Sequence, residues 1–381
     1  MTSSTTEAAQ ALHRSPYLGV FNVTGGGISF CTELLTVPGA SATVLEASVP
    51  YAETALADTL GGTPDQSCSA DTARALAMAA WQRARILAPD TALQNIFGFA
   101  CTAALATNRP KRGEHRAHLA VQTIDCTASL SVVFAKGADG IGDRLAEEAE
   151  ITLRALTLLD RVLRIGLISD QTQTRDGKRI RAKNKVETKL DEATEQWTRL
   201  LAKESFAELQ TPGNSVPDLL FPGSFNPLHR GHLAMAEHAS KILGKPVAFE
   251  ICVDNVDKPA LSFHDLAKRS AQFADQPLWL TRLPTFIEKA RQFPGAVFIV
   301  GIDTLVRIGR DRYYASNKVM HEAFAELARL GNRFLVFGRV ADGEFVTLSN
   351  SDIPTALRKL CDEVTEDQFR IDLSSSELRN A

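Results

Sequence analysis

The chain has 381 residues, 44% of them hydrophobic and 23% charged, with a formal net charge of -3. That length predicts two domains or three; the composition is that of a soluble globular protein; and so weak a charge balance offers no attraction to nucleic acid or an anionic membrane. The six cysteines are scattered without close pairs, as expected of reduced thiols in a cytoplasmic protein, and no apolar run reaches membrane-spanning length.

In chain order, Thr5 to His13 predicts a short helix and Tyr17 to Val23 a strand, which runs into the turn Thr24-Gly-Gly-Gly27 and a helix over Ile28 to Leu35. Ala42 to Val49 is β-rich. Ala70 to Leu87 predicts a helix with Asp71 as N-cap and Ala75, Met78, Ala79 and Ile86 on one face. Asn95 to Ala106 and His118 to Thr127 read as strands, with Ser129 to Phe134 a further one. Asp143 to Leu163 predicts a long amphipathic helix carrying Leu145, Ala149, Leu153, Leu156, Leu159 and Leu163. These elements make an α/β domain over 1–168.

Thr24-Gly-Gly, Leu35-Thr-Val-Pro-Gly-Ala-Ser41 and Tyr51 followed by Leu60-Gly resemble the C-terminal domain of the CinA proteins, whose active members deamidate nicotinamide mononucleotide. The resemblance covers about Tyr17 to Leu163. It implies a Ser nucleophile where Asn22 stands, a Lys at about Leu56, and a glycine- and proline-containing loop where Ala100 to Leu105 has neither. An amide is no acyl-forming nucleophile. The domain is therefore expected to be inactive, kept for homo-oligomerisation or for binding a nucleotide. Cys101 is either a substitute nucleophile or a small core residue, the latter being the usual role.

Residues 169–216 read as a linker. It holds the basic run Lys178 to Lys185, a helix over Leu190 to Leu209 with Trp197, Leu200, Leu201 and Phe206 apolar, and the loop Pro212 to Pro217. The second domain, 217–381, opens with the strand Asp218 to Phe221, then Gly223-Ser224-Phe225-Asn226-Pro227-Leu228-His229-Arg230-Gly231-His232, then a helix stopping at Gly244. A strand, a tight turn and a helix N-terminus gather anions. Further strands at Pro246 to Val253, Leu278 to Thr281, Ala296 to Gly301 and Arg333 to Gly338 alternate with helices, predicting a Rossmann-like parallel sheet with helices on both faces. His229, Lys258, Asp303 and Arg339 fall at the carboxyl ends of strands, where such sheets bind ligands. Two histidines at this spacing also suit zinc, but no further Cys or His stands at matching spacing.

The stretch from Gly223 to His232 resembles the H-x-G-H signature of the nucleotidylyltransferase superfamily, in the form found in nicotinamide/nicotinate-mononucleotide and phosphopantetheine adenylyltransferases. Leu373-Ser374-Ser375-Ser376-Glu377-Leu378-Arg379 is similar to the family's second motif. The resemblance implies transfer of AMP from ATP to a phosphate acceptor, with Mg²⁺ carried by the triphosphate and no metal held by the protein. It makes His229, His232, Lys258 and Arg379 catalytic, and gives Gly223, Ser224, Phe225, Asn226, Gly231, Gly301, Asp303, Arg339, Ser374, Ser375 and Ser376 to the nucleotide. Nicotinamide or nicotinate mononucleotide is the first acceptor in view, with Trp279, Tyr313 and Tyr314 as candidates to face a pyridine. The family's Pro-Pro-His-Lys is replaced by Asn255-Val-Asp-Lys258, which leaves a phosphopantetheine-like acceptor, CTP as donor, or a non-catalytic nucleotide sensor as alternatives.

Overall fold

The computed structural model describes residues 4–109, 112–135, 141–166, 184–210, 216–254, 258–341 and 343–371. The chain forms two units: residues 1–202 with 257–265, and residues 203–256 with 266–381. Both are α/β, the first built on a mixed sheet and the second on a nearly all-parallel one.

In the first unit the elements are α1 (Ser4–His13), β1 (Leu18–Thr24), α2 (Ile28–Thr36), β2 (Val44–Ser48), α3 (Glu53–Leu60), α4 (Ala70–Leu87), β3 (Ile96–Ala104), β4 (His115–Gln122), β5 (Cys126–Phe134), α5 (Ile141–Leu163), β6 (Lys185–Glu192) and α6 (Glu195–Ala202). The sheet order is β2-β1-β3-β4-β5-β6. β1 is parallel to β2 and β3, and the rest is antiparallel. Phe21, Phe30, Phe97 and Phe99 pack ring against ring with Ile151, Ala155, Leu156 and Leu159 of α5 in one core.

Several expectations shift. Ser69, not Asp71, caps α4: its Oγ accepts from Thr72 N–H at 3.1 Å, and Asp71 pairs with Arg74. Ile86 and Leu145 lie off the buried faces, 70% and 63% exposed. The strand expected over His118 to Thr127 is two strands around a turn. Thr123 Oγ1 accepts from the N–H groups of Asp125 and Cys126, closing the turn without glycine or proline. The helix expected from Leu190 starts later, because Leu190 and its neighbours complete β6 against β5.

The second unit holds β7 (Ala207–Leu209), β8 (Leu219–Pro222), α7 (Arg230–Leu243), β9 (Val247–Cys252), α8 (Phe263–Ser270, whose first residues belong to the first unit), β10 (Leu278–Thr281), α9 (Phe286–Gln292), β11 (Val297–Gly301), α10 (Ile302–Ile308), α11 (Asn317–Arg329), β12 (Arg333–Phe337), the hairpin β13 (Arg339–Ala341) and β14 (Glu344–Val346), α12 (Thr355–Arg358) and β15 (Cys361–Val364). The sheet order is β15-β12-β11-β8-β9-β10-β7, and only the edge strand β7 is antiparallel. From β8 the chain builds outward through β9 and β10, then crosses back to lay β11 on the other side of β8. That reversal opens a crevice at the carboxyl ends of β8 and β11. One buried ion pair braces this sheet: Lys289 Nζ donates to Glu250 Oε1 at 2.6 Å, and Thr281 Oγ1 also donates to that oxygen.

Candidate functional site

The loop leaving β8 is shaped by Phe225. Its φ of 42° is left-handed, rare for an aromatic residue, and its fully buried ring is wedged edge-on among Phe221, Phe249 and Phe273. Gly223 makes room for that ring: a Cβ there would stand 2.6 Å from Phe225 Cζ. One side chain holds the turn. Gln272 donates to Phe225 O at 3.0 Å and accepts from Leu228 N–H at 2.8 Å, while Arg269 Nη1 donates to Ser224 O at 3.1 Å. Neither Gln272 nor Arg269 belongs to a motif, so sequence reading had no signal for them.

His229 is the N-cap of α7 and His232 lies in its first turn, their rings stacked with centroids 3.6 Å apart. His229 N–H donates to His232 Nδ1 at 3.3 Å. Gly231 leaves space for this, since a Cβ would come within 3.0 Å of His229 Nδ1. Burial, then the neighbouring His229, pushes His232 down to about 4, and burial lowers His229 too. At neutral pH His232 is therefore uncharged. With Nδ1 accepting, its proton sits on Nε2, a fixed donor. His229 Nδ1 is buried and has no partner among the described residues.

On the neighbouring strands, Gly301 ends β11 and is the N-cap of α10, placing Asp303 in that helix's first turn. Asp303 pairs with Arg339, which begins β13 just past the end of β12. The switch-point crevice is thus flanked by two helix N-termini, a neutral histidine donor and an acid–guanidinium pair, the inventory that suits a phosphorylated, hydroxyl-bearing ligand.

Residues 220–381 match the model of the Cytidylyltransferase-like family. The C-terminal part of the chain is similar to cytidylyltransferase-like domains.

Of the residues expected in the site of this domain, Gly223, Ser224, Phe225, Asn226, His229, Gly231 and His232 come together on the β8–α7 loop, and Gly301, Asp303 and Arg339 on the adjacent strand ends. Lys258 belongs to the first unit, where it is exposed and its Cε lies 3.5 Å from the position of a Cβ on Gly62. Ser374, Ser375, Ser376 and Arg379 lie outside the described residues. Tyr314 packs on Phe324 with its hydroxyl donating to Ile308 O, and Trp279 packs on Phe293, so both serve the core; Tyr313 is half-buried under Arg312. Among the described residues no three His, Cys, Asp or Glu side chains are grouped to hold a metal ion, and no helix is long and apolar enough to cross a membrane.

Among curated proteins, no relative matches the chain. Solved structures similar to part of it include the competence/damage inducible protein CihA from Agrobacterium tumefaciens (20% identity, 43% of this chain and 97% of that one, TM-score 0.30). Others are CinA superfamily proteins from Klebsiella pneumoniae (16%, 42% and 96%, TM-score 0.28) and Enterobacter cloacae (15%, 42% and 90%, TM-score 0.30).

In the first unit, the positions where hydrolase chemistry was sought are filled structurally. Asn22 is buried, accepting from Ser48 Oγ at 2.6 Å and donating to Leu76 O at 3.3 Å. Leu56 is core. Cys101 is fully buried, and burial, then the Glu148 carboxylate, raises its thiol well above the ordinary range. The glycine loop before α2 is already capped from within: both oxygens of Glu148 accept from Gly27 N–H at 3.1 Å, and one accepts from Ser29 N–H at 3.2 Å. Arg144 Nη2 donates to Gly25 O at 3.1 Å across the same mouth.

Proposed function

We propose that the C-terminal domain transfers AMP from ATP to a phosphate acceptor, nicotinamide or nicotinate mononucleotide, releasing pyrophosphate. The observation that carries this reading is the stacked His229–His232 pair at the head of α7, beyond the end of β8 and beside the Asp303–Arg339 pair at the ends of β11 and β12. The acceptor phosphate is itself the nucleophile, so the reaction asks the protein for alignment and charge stabilisation rather than covalent chemistry. His232 Nε2 would donate to phosphate oxygens as negative charge builds on them, and its neutrality makes that donor available across the physiological range. Asp303, held by Arg339, would accept from ribose hydroxyls. Ser374 to Ser376 and Arg379 would hold the leaving pyrophosphate. A divalent ion would arrive on the triphosphate and share its charge.

We further propose that the first unit does not hydrolyse nicotinamide mononucleotide and serves oligomerisation or ligand binding. The internal capping of its glycine loop by Glu148 supports this.

The test is pyrophosphate release by the full chain with ATP and Mg²⁺, offering nicotinamide mononucleotide, nicotinate mononucleotide and 4′-phosphopantetheine in parallel, and then CTP in place of ATP. Release with either mononucleotide, lost in His232→Ala, is expected. Release with 4′-phosphopantetheine alone, or with CTP alone, would move the acceptor or the donor. ATP binding with no release on any acceptor would make the domain a sensor.

A further inference from the structure

One buried cation of the first unit keeps an unmet donor. Arg74, on the first turns of α4, is only 4% exposed. Its Nη2 reaches out to Asp71 at the surface, but its Nε–H is buried and meets no acceptor. An unmet donor on a buried guanidinium is costly. Arg74 also lines a cavity of about 70 Å³ together with Ala70, Ser129, Ser131, Glu187 and Lys189.

The lining follows from register. Ser129 on β5 stands opposite Lys189 on β6, and Ser131 opposite Glu187, so the two hydroxyls and the ammonium share one face of the sheet under the start of α4. Ala70 is the first residue of α4, so the helix contributes its positive end. On β4, His118 Nδ1 lies 2.8 Å from Ser131 Oγ. The acidic groups in reach are Glu187, drawn to Lys189 at 3.1 Å with its side chain 68% exposed, and the solvent-facing Asp71. The lining is therefore mostly donors: Arg74, Lys189 and the Ser129 and Ser131 hydroxyls stand with one carboxylate, Glu187, that turns outward. The field is positive enough to act on a neighbour. The proton affinity of His118 is lowered first by burial, then by Arg116 and Arg74, with Asp71 opposing.

We propose that this cavity is a binding site for a tetrahedral oxyanion, either free phosphate or the terminal phosphate of a phosphorylated metabolite. The oxyanion accepts from Lys189 and the two serines beside Arg74, whose charge it offsets. The site lies wholly within the first unit and does not depend on the reaction assigned to the second.

His118 is the built-in reporter. In the full chain its imidazole is titrated by NMR, its signal assigned by loss in His118→Gln, in chloride and in inorganic phosphate at matched ionic strength. Phosphate is expected to raise the His118 pKa by about one unit, and Lys189→Met, an exposed position, to raise the half-saturating phosphate concentration about fivefold. Adenosine monophosphate is the second ligand. A response to both ligands assigns the cavity to phosphate groups on metabolites, and a response to phosphate alone assigns it to the free anion. Identical titrations in chloride and phosphate would overturn the proposal, as would an unchanged half-saturation in Lys189→Met. So would a response to adenosine monophosphate without one to phosphate, because the base would then be what is recognised.

Discussion

The imidazoles of His229 and His232 lie face to face, centroids 3.6 Å apart and planes 21° from parallel. Two rings so close cannot both carry a positive charge cheaply, and His232, the more enclosed by Phe221 and Phe225, is the one held neutral. The unfolded chain protonates this group near its ordinary 6.5, the folded chain only near 4. The stabilisation from its neutral form is therefore complete above 6.5 and is lost as pH falls through 4. A plot of melting temperature against pH should lose part of its slope over that window in His232→Gln. An unchanged slope would mean that the ring is not buried as described.

Turnover should depend on the same ring. On the proposed chemistry, His232→Ala lowers kcat about a hundredfold, the usual cost of removing one preorganised donor, while the circular dichroism spectrum stays the same. Retained turnover would take His232 out of the reaction.

Gln272 ties Phe225 O to Leu228 N–H across the loop. Gln272→Ala leaves both backbone groups without that partner. It should cost about 1–3 kcal/mol of stability and reduce activity further than stability alone accounts for. The check is kcat measured well below the melting transition.

The buried Lys289–Glu250 pair joins α9 to β9. Lys289→Met strands a carboxylate in the core and should cost about 3–5 kcal/mol. The double change Lys289→Met with Glu250→Gln should recover much of that loss. Urea denaturation of the single and double variants measures both.

For the first unit, Asn22→Ser restores a hydroxyl but not a site, because Glu148 still occupies the N–H groups of the glycine loop. No ammonia release from nicotinamide mononucleotide is expected from that variant. Release would show that the loop can shed Glu148.

The β8–α7 loop was legible because its glycines, proline and histidines are contiguous, and local geometry alone turns them into a helix N-terminus. Gln272 and Glu148 were not legible. Each lies far along the chain from the backbone it caps, and a charged residue on an amphipathic helix such as α5 reads as solvent-facing. The limits of α4 and α7 followed periodicity, whereas of the helix expected over Leu190 to Leu209 only Glu195–Ala202 is helical, with strands on either side. The hairpin at Thr123 was missed because a hydroxyl did what glycine usually does. Lys258 was read from its place after a strand, but the chain beyond β9 crosses to the first unit before it returns.

That crossing bears on how the protein is made. The returning segment is seated firmly: Phe263 is buried with its ring 6.1 Å from Trp197, its N–H donates to Thr127 Oγ1 at 2.9 Å, and His264 pairs with Asp191 at 2.8 Å. On the ribosome the first unit therefore waits for its last piece until β8 and β9 of the second have already emerged. A truncation ending at residue 168 would lack both β6 and this segment. The two units are thus interleaved in time, and a nascent chain stalled between them would leave Trp197, Thr127 and Asp191 without the segment that covers them.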